Sequence, residues 1–493
     1  MTAPSVSLHP ERLTQAPVAD DIRTRLERLF ALQQAQAPSM AATTAAARRA
    51  RLLRLREAIV ARRQAVFAAL RADLGRPEAE TELSEMHMTL VGIDHACRRL
   101  RGWMRGRRIG WSLTTLGTTA RLVYEPRGVV LILAPWNYPF HLALDPLVSA
   151  IAAGNCAVVK PSEKSPATTA LLQELIGAVC DPSEVAVVDG GPDVAAALLE
   201  LPFDHIHFTG GTAIGKRVMA AAARHLTSVT LELGGKSPAI VDATADIPAA
   251  AERIAIGKFL NAAQTCIAPD YALVHASVAD AFVAALKAAL QRFYGADEAA
   301  RAASRDYGRI VDDGHFARLR ELFTKSVAAG ARIEAGGEFD PATRYVAPTI
   351  LTEVPPDAPV MREEIFGPLL PVLTWQHPDD AIAVIRSLDK PLMVYIFTQD
   401  VSAADRFVAA TSAGGTAINT IGLNYLNHHA PFGGVGASGI GACHGYAGFR
   451  AFSHERTVLR QRRPVMLPLF YPPYTGLRSR VGQLLLKVIQ WLG

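Results

Sequence analysis

The chain has few cysteines, and their spacing suits neither a disulfide framework nor a metal site. Of 493 residues, five are cysteines: Cys97, Cys156, Cys180, Cys266 and Cys443. No two of them form a Cys-x-x-Cys pair, so the pattern argues against a zinc ribbon and against a disulfide-stapled secreted domain. A reducing, cytoplasmic environment is therefore expected.

Long apolar runs are also missing. No stretch of about 18 apolar residues occurs, so no membrane-spanning helix is predicted. Residues 1–20 are polar and contain proline, without the charged-then-apolar pattern of a secretion signal, and are expected to form a flexible tail.

Aromatic residues are scarce at 7%, and few lie among the arginines that concentrate in the first 108 residues. The net charge is +5 and the pI is near 8.9. Single-stranded nucleic acid is usually bound by aromatic rings interleaved with basic residues. The arginines are therefore interpreted as solvated helix faces, and no nucleic-acid partner is expected.

What the sequence does contain is an alternation of helical and strand-like segments. Residues 21–73 and 78–105 have apolar residues at helical spacing. Five short apolar runs follow, with alanine- and leucine-rich stretches between most of them: 129–133, 156–160, 185–188, 205–209 and 229–233. This order predicts an α/β fold with a doubly wound parallel sheet. A second series, at 238–241, 271–274, 370–373 and 394–397, predicts a second α/β domain.

Polar residues and glycines come directly after these predicted strands, where ligands bind in such sheets. The segment 210–215, Gly-Gly-Thr-Ala-Ile-Gly, can hold phosphate at a helix N-terminus or simply form a tight turn. It is not G-x-G-x-x-G, and it lacks the Lys-Ser/Thr of a P-loop, which argues against ATP hydrolysis. Lys160 and Glu163 could grip ribose hydroxyls or form a surface ion pair. A carboxylate there would repel the 2′-phosphate of NADP, which favours NAD.

Three further residues suggest covalent chemistry. Cys266 is either an inert buried thiol or a nucleophile. Glu232 lies in an otherwise apolar stretch, so its carboxylate is expected either to pair with another polar group or to act as a base. Asn137 either caps a turn or stabilises an oxyanion. His428 and His429 are adjacent, but a histidine pair is not a metal site without further ligands, so no metal is expected.

Together these motifs resemble the aldehyde dehydrogenase superfamily over residues 40–460. The motifs are Pro-Trp-Asn-Tyr-Pro at 135–139, Lys-Pro-Ser-Glu at 160–163, Phe-Thr-Gly-Gly-Thr-Ala-Ile-Gly at 208–215, Leu-Glu-Leu-Gly-Gly-Lys at 231–236, Gln-Thr-Cys at 264–266 and Glu-Glu-Ile-Phe-Gly-Pro at 363–368. Residues 431–441, followed by Cys-His-Gly at 443–445, resemble the class 3 branch, and within it bacterial coniferyl aldehyde dehydrogenases.

The resemblance implies roles for these residues. Cys266 is the implied nucleophile, Glu232 the general base and Asn137 the oxyanion donor. The implied cofactor is NAD, with NADP as the alternative, held by Ala134, Pro135, Trp136, Lys160, Glu163, Gly210, Gly211, Thr212, Gly215, Leu233, Glu364 and Phe366. Two positions depart from the family pattern: Gly211 stands where Ser is common, and Ala263 stands where Gly is common.

The implied reaction is the oxidation of an aldehyde to a carboxylic acid through a cysteine thiohemiacetal and a thioester. The class 3 likeness implies aromatic or medium- to long-chain aldehydes, with coniferaldehyde as the narrowest hypothesis, and a homodimer. Two rival hypotheses are a CoA-acylating dehydrogenase and a non-enzymatic binding protein on the same scaffold.

The implied domain organisation has several segments. A cofactor-binding domain comprises residues 21–108 and 126–233, and a catalytic domain residues 234–430. An oligomerisation arm comprises 109–125 and 431–470, with a bridging strand near 120–124. Residues 471–493 show helical spacing of apolar residues with arginine and lysine elsewhere. This amphipathic helix either packs on the protein or a partner subunit, or contacts a membrane or the substrate entrance.

Overall fold

The computed structural model describes residues 20–110, 115, 117–461 and 471–492. The predicted tail at 1–20 lies outside the described residues except for Asp20, the first residue of helix α1.

The N-terminal half begins with helices and continues into a parallel sheet. Its helices are α1 Asp20–Ala41, α2 Ala45–Ala61, α3 Arg63–Leu74, α4 Glu78–Thr81, α5 Met88–Met104, α6 His141–Ala153, α7 Pro166–Gly177, α8 Pro192–Leu199 and α9 Thr212–Ala223, with a π-helical turn at Glu82–His87. Its strands are β1 Arg107–Ile109, β2 Thr118–Pro126, β3 Val129–Leu133, β4 Cys156–Lys160, β5 Val185–Val187, β6 His205–Thr209 and β7 Ser228–Glu232.

Strands β3 to β7 form the first sheet, in the order β7-β6-β3-β4-β5, and all are parallel. Strands β3, β4 and β6 are buried along their whole length, as continuous apolar runs in a covered parallel sheet should be. Apolar clusters lie on both faces of this sheet, and α6 and α7 contribute to one of them while α1 and α8 contribute to the other. The predicted doubly wound sheet is confirmed.

The C-terminal half contributes a second sheet, a separate pair of strands and two strands that belong to other sheets. Its strands are β8 Pro238–Val241, β9 Tyr271–His275, β10 Arg332–Ala335, β11 Phe339–Asp340, β12 Tyr345–Val346, β13 Thr349–Thr352, β14 Leu369–Trp375, β15 Met393–Phe397, β16 Gly415–Ile418, β17 Gly439–Ile440 and β18 Ser453–Gln461. Its helices are α10 Ile247–Phe259, α11 Ala279–Tyr294, α12 Glu298–Ala303, α13 Asp313–Ala328, α14 Pro359–Arg362, α15 Pro378–Ser387, α16 Val401–Ala410, α17 Leu423–Leu426, α18 Gly445–Ala451 and α19 Gly476–Leu492.

The second sheet has the order β10-β13-β14-β9-β8-β15-β16 and is parallel apart from β10, while β11 and β12 form a separate pair. All four strands of the predicted second series are present. The prediction missed β10, β13 and β16, which are four residues long and lack a continuous apolar run.

A third, antiparallel sheet of β1, β2 and β18 forms the arm, and the predicted strand at 120–124 lies within β2. Within 431–470, predicted as arm and C-terminal segment, the described residues place β18 in the arm sheet. Strand β17 instead pairs antiparallel with β7, and α18 packs against α5 and α6. The segment before β18 therefore covers the edge of the first sheet. No helix in the described ranges is long and apolar enough to cross a bilayer.

Candidate active site

The site is formed where four neighbouring strands of the first sheet end. Glu232 is the last residue of β7 and Lys160 the last of β4, while Gly210 follows β6 and Ala134 follows β3. Because β7, β6, β3 and β4 are adjacent and parallel, these residues lie along one edge of the sheet. A cavity of about 1380 Å³ opens there.

The cavity brings together all but two of the residues that the sequence analysis selected. Its lining includes Cys266, Glu232, Asn137, Ala134, Pro135, Trp136, Lys160, Glu163, Gly210, Gly211, Leu233, Glu364 and Phe366. Thr212 and Gly215 do not line it. The Thr212 hydroxyl donates to the Ala437 carbonyl at 3.0 Å. Gly215 lets α9 approach Leu233, whose Cδ2 would lie 2.7 Å from a Cβ at that position.

The loop that carries Cys266 has an unusual backbone. Asn261, Ala262 and Ala263 all have left-handed conformations, with φ of 53°, 49° and 61°. Ala263 thus adopts a conformation that favours glycine, which accounts for glycine being common at this position in the family. The buried Gln264 side chain holds the loop, because it donates to the Arg309 carbonyl at 3.0 Å and accepts from the Val311 N–H at 2.9 Å.

Asn137 is anchored to the same loop. Its Nδ2 donates to the Gln264 carbonyl at 3.0 Å, and its own carbonyl accepts from Asn261 Nδ2 at 3.0 Å. Asn137 is only 3% exposed, so its amide has little freedom to rotate. The loop of the candidate nucleophile, Cys266, and the candidate oxyanion donor are therefore held by one hydrogen-bond network.

Arg76 lies beneath this network and was not found from the sequence. It is fully buried, pairs with the Glu85 carboxylate, and donates to the Asn137 carbonyl and, at 3.3 Å, to Asn261 Oδ1. Its local sequence, Leu-Gly-Arg-Pro, gives no sign of burial. Only the packing of α3 and the π-helical turn against the nucleophile loop reveals its position.

Glu232 is 5% exposed, and neither of its carboxylate oxygens has a hydrogen-bond partner among the described residues. Burial raises its pKa well above the ordinary value, an effect that the neighbouring Cys443 thiol partly offsets. Burial also raises the pKa of Cys266 to about 12, with the Glu364 and Glu232 carboxylates adding to the shift. Backbone N–H groups of Cys266 and Ile267 act in the opposite direction and therefore favour negative charge at the sulfur.

Glu364 reaches the cavity because Gly234 has no side chain. A Cβ at Gly234 would lie 2.2 Å from Glu364 Oε2. Burial and the charge of Asp270 raise the pKa of Glu364 to about 7. Asp270 accepts from the Ile365 N–H at 2.9 Å and pairs with Lys236. This buried pair fixes the loop that presents Glu364 and Phe366.

Aromatic rings form part of the cavity wall. The Trp136 ring lies 5.4 Å from the Phe366 ring and 4.8 Å from the His315 ring, centroid to centroid. His315 and Arg318, both on α13, also line the cavity and were missed by the sequence analysis. Their helix begins 81 positions after the end of β7, so no local motif connects them to the strand ends.

The sequence analysis left two roles open for Lys160 and Glu163, contacts to ribose hydroxyls or an ion pair. In the structure they form an ion pair, and both also line the cavity. Lys160 Nζ lies 3.6 Å from Glu163 Oε2 and donates to the Pro161 carbonyl at 2.9 Å. Lys160 is 4% exposed while the Glu163 side chain is 40% exposed, so the pair extends from the buried cavity wall towards the surface.

The model of the aldehyde dehydrogenase family matches residues 11–458. The chain belongs to the aldehyde dehydrogenase family. It is 45% identical to aldehyde dehydrogenase family 3 member H1 of Arabidopsis thaliana, over 84% of this chain and 85% of that protein. It is 43% identical to the 4,4′-diaponeurosporen-aldehyde dehydrogenase of Staphylococcus aureus, over 87% of this chain and 92% of that protein. These relatives support the class 3 likeness and aldehyde oxidation at a general level, and they do not identify coniferaldehyde.

Solved structures show the same aldehyde dehydrogenase fold. The substrate-bound state of Staphylococcus aureus AldH matches with a TM-score of 0.89 and 40% identity, over 93% of this chain and 99% of that one. PnpE in complex with nicotinamide adenine dinucleotide matches with a TM-score of 0.82 and 28% identity, over 89% and 90%. The second of these structures contains the dinucleotide that the strand-end cavity was predicted to bind.

Proposed function

We propose that this aldehyde dehydrogenase oxidises hydrophobic aldehydes to carboxylic acids with NAD, through a thioester on Cys266. The supporting observation is that Cys266, Glu232 and Asn137 line the same cavity as the candidate cofactor residues. A nucleophile, a base and an oxyanion donor that meet at a dinucleotide-sized cavity are the parts that this reaction requires.

In the first step, the Cys266 sulfur attacks the aldehyde carbon and a thiohemiacetal forms. The Asn137 amide and the backbone N–H of Cys266 donate to the developing oxyanion, each contributing roughly 3 kcal/mol. Asn137 is suited to this role because the Gln264 carbonyl fixes its amide at 3.0 Å. The loop before α13 holds the Gln264 side chain, and Gln264 in turn keeps Asn137 and Cys266 in fixed relative positions.

The cavity residues fit a dinucleotide. Gly210 and Gly211 allow close approach at the start of α9, and Lys160 and Glu163 offer a donor and an acceptor for ribose hydroxyls. Glu364 and Phe366 would hold the nicotinamide end. NAD, when bound, supplies the hydride acceptor. Glu163 disfavours a 2′-phosphate by charge repulsion, so kcat/KM should be higher with NAD than with NADP.

Glu232 acts in the second step. Its raised pKa makes it a better proton acceptor than an ordinary carboxylate, so it can take a proton from the water that hydrolyses the thioester. This role distinguishes hydrolysis from acyl transfer to CoA. NADH formation that requires CoA would support the CoA-acylating alternative.

The deciding experiment compares three variants in NAD-dependent oxidation of an aldehyde. Cys266→Ser should abolish NADH formation, while Cys180→Ser, which changes a cysteine outside the cavity lining, should not. Glu232→Gln should slow deacylation, so that intact-mass spectrometry detects an acyl adduct on Cys266. Full activity of Cys266→Ser would overturn the proposal. Aldehyde and NAD binding without turnover in the unmodified chain would favour the non-enzymatic binding protein.

For the substrate class, we propose aromatic or medium- to long-chain aldehydes. Support comes from the family 3 relative and from a second relative that is named for 4,4′-diaponeurosporen-aldehyde. Coniferaldehyde is the narrowest candidate. A panel of short, long-chain and phenylpropanoid aldehydes should show rising kcat/KM with apolar size, and a preference for acetaldehyde would contradict this substrate class.

We further propose a cytoplasmic homodimer that contacts membranes at its surface. All five cysteines are free, as a reducing compartment favours. Strand β18 is an edge of the arm sheet and is largely exposed, so it can pair with a second copy.

The membrane contact is proposed for helix α19, in which Leu477, Leu484 and Trp491 are 79%, 64% and 84% exposed. No Asp or Glu follows Glu455, so an anionic lipid surface is the partner that suits this helix.

A further inference from the structure

A second group of buried polar side chains lies outside the lining of the large cavity. His141 and Asp145 are in the first turns of α6, and His444 directly precedes α18. All three are buried, with exposures of 1%, 6% and 1%. The proposed reaction assigns no role to any of them.

Within this group, the ring nitrogens of His444 lack a hydrogen bond to any described residue. The same holds within the described ranges for the nearby His428, whose ring lies 5.5 Å from that of His444. Asp145 Oδ2 lies 3.8 Å from His444 Nε2, beyond hydrogen-bond distance. Burying imidazole and carboxylate groups without partners is costly, so an additional ligand is needed to satisfy them.

The arrangement suits a metal ion. One ligand atom from each of His141, Asp145 and His444 lies within 4.8 Å of the others. Tetrahedral bonds of about 2.0–2.2 Å to a zinc ion place its ligand atoms roughly 3.3–3.6 Å apart, so the ligand atoms must approach one another by at most about 1.5 Å to close the site. Two imidazoles with one carboxylate form a ligand set that first-row divalent metals prefer.

The surroundings of His141 are consistent with this role. One of its ring nitrogens, Nδ1, lies 3.0 Å from the Thr89 hydroxyl, the kind of contact that orients a metal-binding imidazole. The other, Nε2, lies 2.9 Å from the Tyr425 hydroxyl, and the Tyr425 ring packs against His444 at 4.5 Å. Binding an ion through Nε2 would replace the Tyr425 hydrogen bond.

We propose that His141, Asp145 and His444 bind one divalent transition-metal ion of the Zn²⁺ class. The sequence analysis predicted no metal site: it considered His428 and His429, which are not among the proposed ligands, and His444 lies far from His141 and Asp145 in the sequence.

The test is equilibrium dialysis of chelator-treated protein against ZnCl₂, with metal analysis. The Cys266→Ser variant serves as the background, because the active-site thiol would otherwise compete for zinc. One Zn²⁺ per chain is expected. Asp145→Asn and His444→Gln should each weaken binding by at least about tenfold, whereas His225→Gln, at an exposed histidine, should leave it unchanged.

A spectroscopic readout keeps the proposal falsifiable if one variant folds poorly. Co²⁺ bound at a site of low coordination number should give visible absorption bands in the background protein that Asp145→Asn, a nearly isosteric change, removes. Circular dichroism and the thermal midpoint verify that the variant is folded. Less than stoichiometric zinc binding, or undiminished binding in both ligand variants, would overturn the proposal. Because the readout is metal binding in a catalytically inactive background, the result is independent of the proposed oxidation.

Discussion

At the scale of single residues, burial acts in opposite senses on the two reacting groups. It makes Glu232 a stronger base by raising its pKa, but it makes Cys266 a more reluctant nucleophile by holding its proton. The Glu364 and Glu232 carboxylates increase this reluctance, because a negative charge nearby disfavours a thiolate. The protein thus has a buried thiol that retains its proton and a buried carboxylate whose proton affinity is raised.

The effect of these charges can be measured as the reactivity of the Cys266 thiol. Glu364→Gln and Glu232→Gln each remove a negative charge near Cys266, so the thiol pKa should fall and alkylation by iodoacetamide at pH 8 should become faster. The effect should be larger for Glu364→Gln, since Glu364 is the larger of the two electrostatic causes. Peptide mass spectrometry would follow Cys266, with Cys180 as the internal control. A slower Cys266 reaction in both variants would contradict this electrostatic account.

At the scale of elements, the site depends on contacts that connect α3 and the π-helical turn to the loop that carries Cys266. Helix α3 ends at Gly75, with φ of 61°, and the chain then places Arg76 among Glu85, Asn137 and Asn261. The Arg76–Glu85 pair is fully buried on both sides. Such a pair is costly to break from one side, because the remaining charge is left without a partner.

Arg76→Met should therefore reduce the unfolding free energy by about 3–5 kcal/mol, and it should also lower kcat by loosening Asn137. The double variant Arg76→Met/Glu85→Met should recover much of the stability while leaving kcat low, because the Asn137 carbonyl still lacks its donor. Urea unfolding and steady-state rates with NAD would separate the two effects. A single variant as stable as the unmodified chain would show that Arg76 is not a structural joint.

Some of these elements could be predicted from the sequence, and others could not. Continuous apolar runs predicted β3 and β4, because strands buried on both faces carry a strong local signal. Strand β17 has two residues and exists only through its pairing with β7, so no local pattern could reveal it. Motifs identified the strand-end residues of the cavity. They could not identify Arg76 or His315, whose placement depends on contacts between elements far apart in the chain.

At the scale of the whole molecule, the exposed edge of the arm sheet and helix α19 are the two surfaces proposed above to contact partners. The apolar side chains of α19 are accompanied by Arg480 and Lys487, and no acidic residue lies in the helix. A basic amphipathic helix of this kind binds an anionic lipid surface through both burial and charge. Salt weakens the charge contribution.

The full chain should therefore float with phosphatidylglycerol-containing vesicles in a density gradient, less so at high salt, and a chain ending at residue 470 should remain at the bottom. Leu484→Ser/Trp491→Ser should reduce flotation, because both side chains are exposed and apolar in α19. Leu32→Ser, which changes a residue of α1 that is 49% exposed, is the matched control and should not. All of these proteins should oxidise a short aldehyde at the same rate, which verifies that the cavity is intact. Equal flotation with and without α19 would show that the helix does not bind membranes and would leave a second protein subunit as its partner.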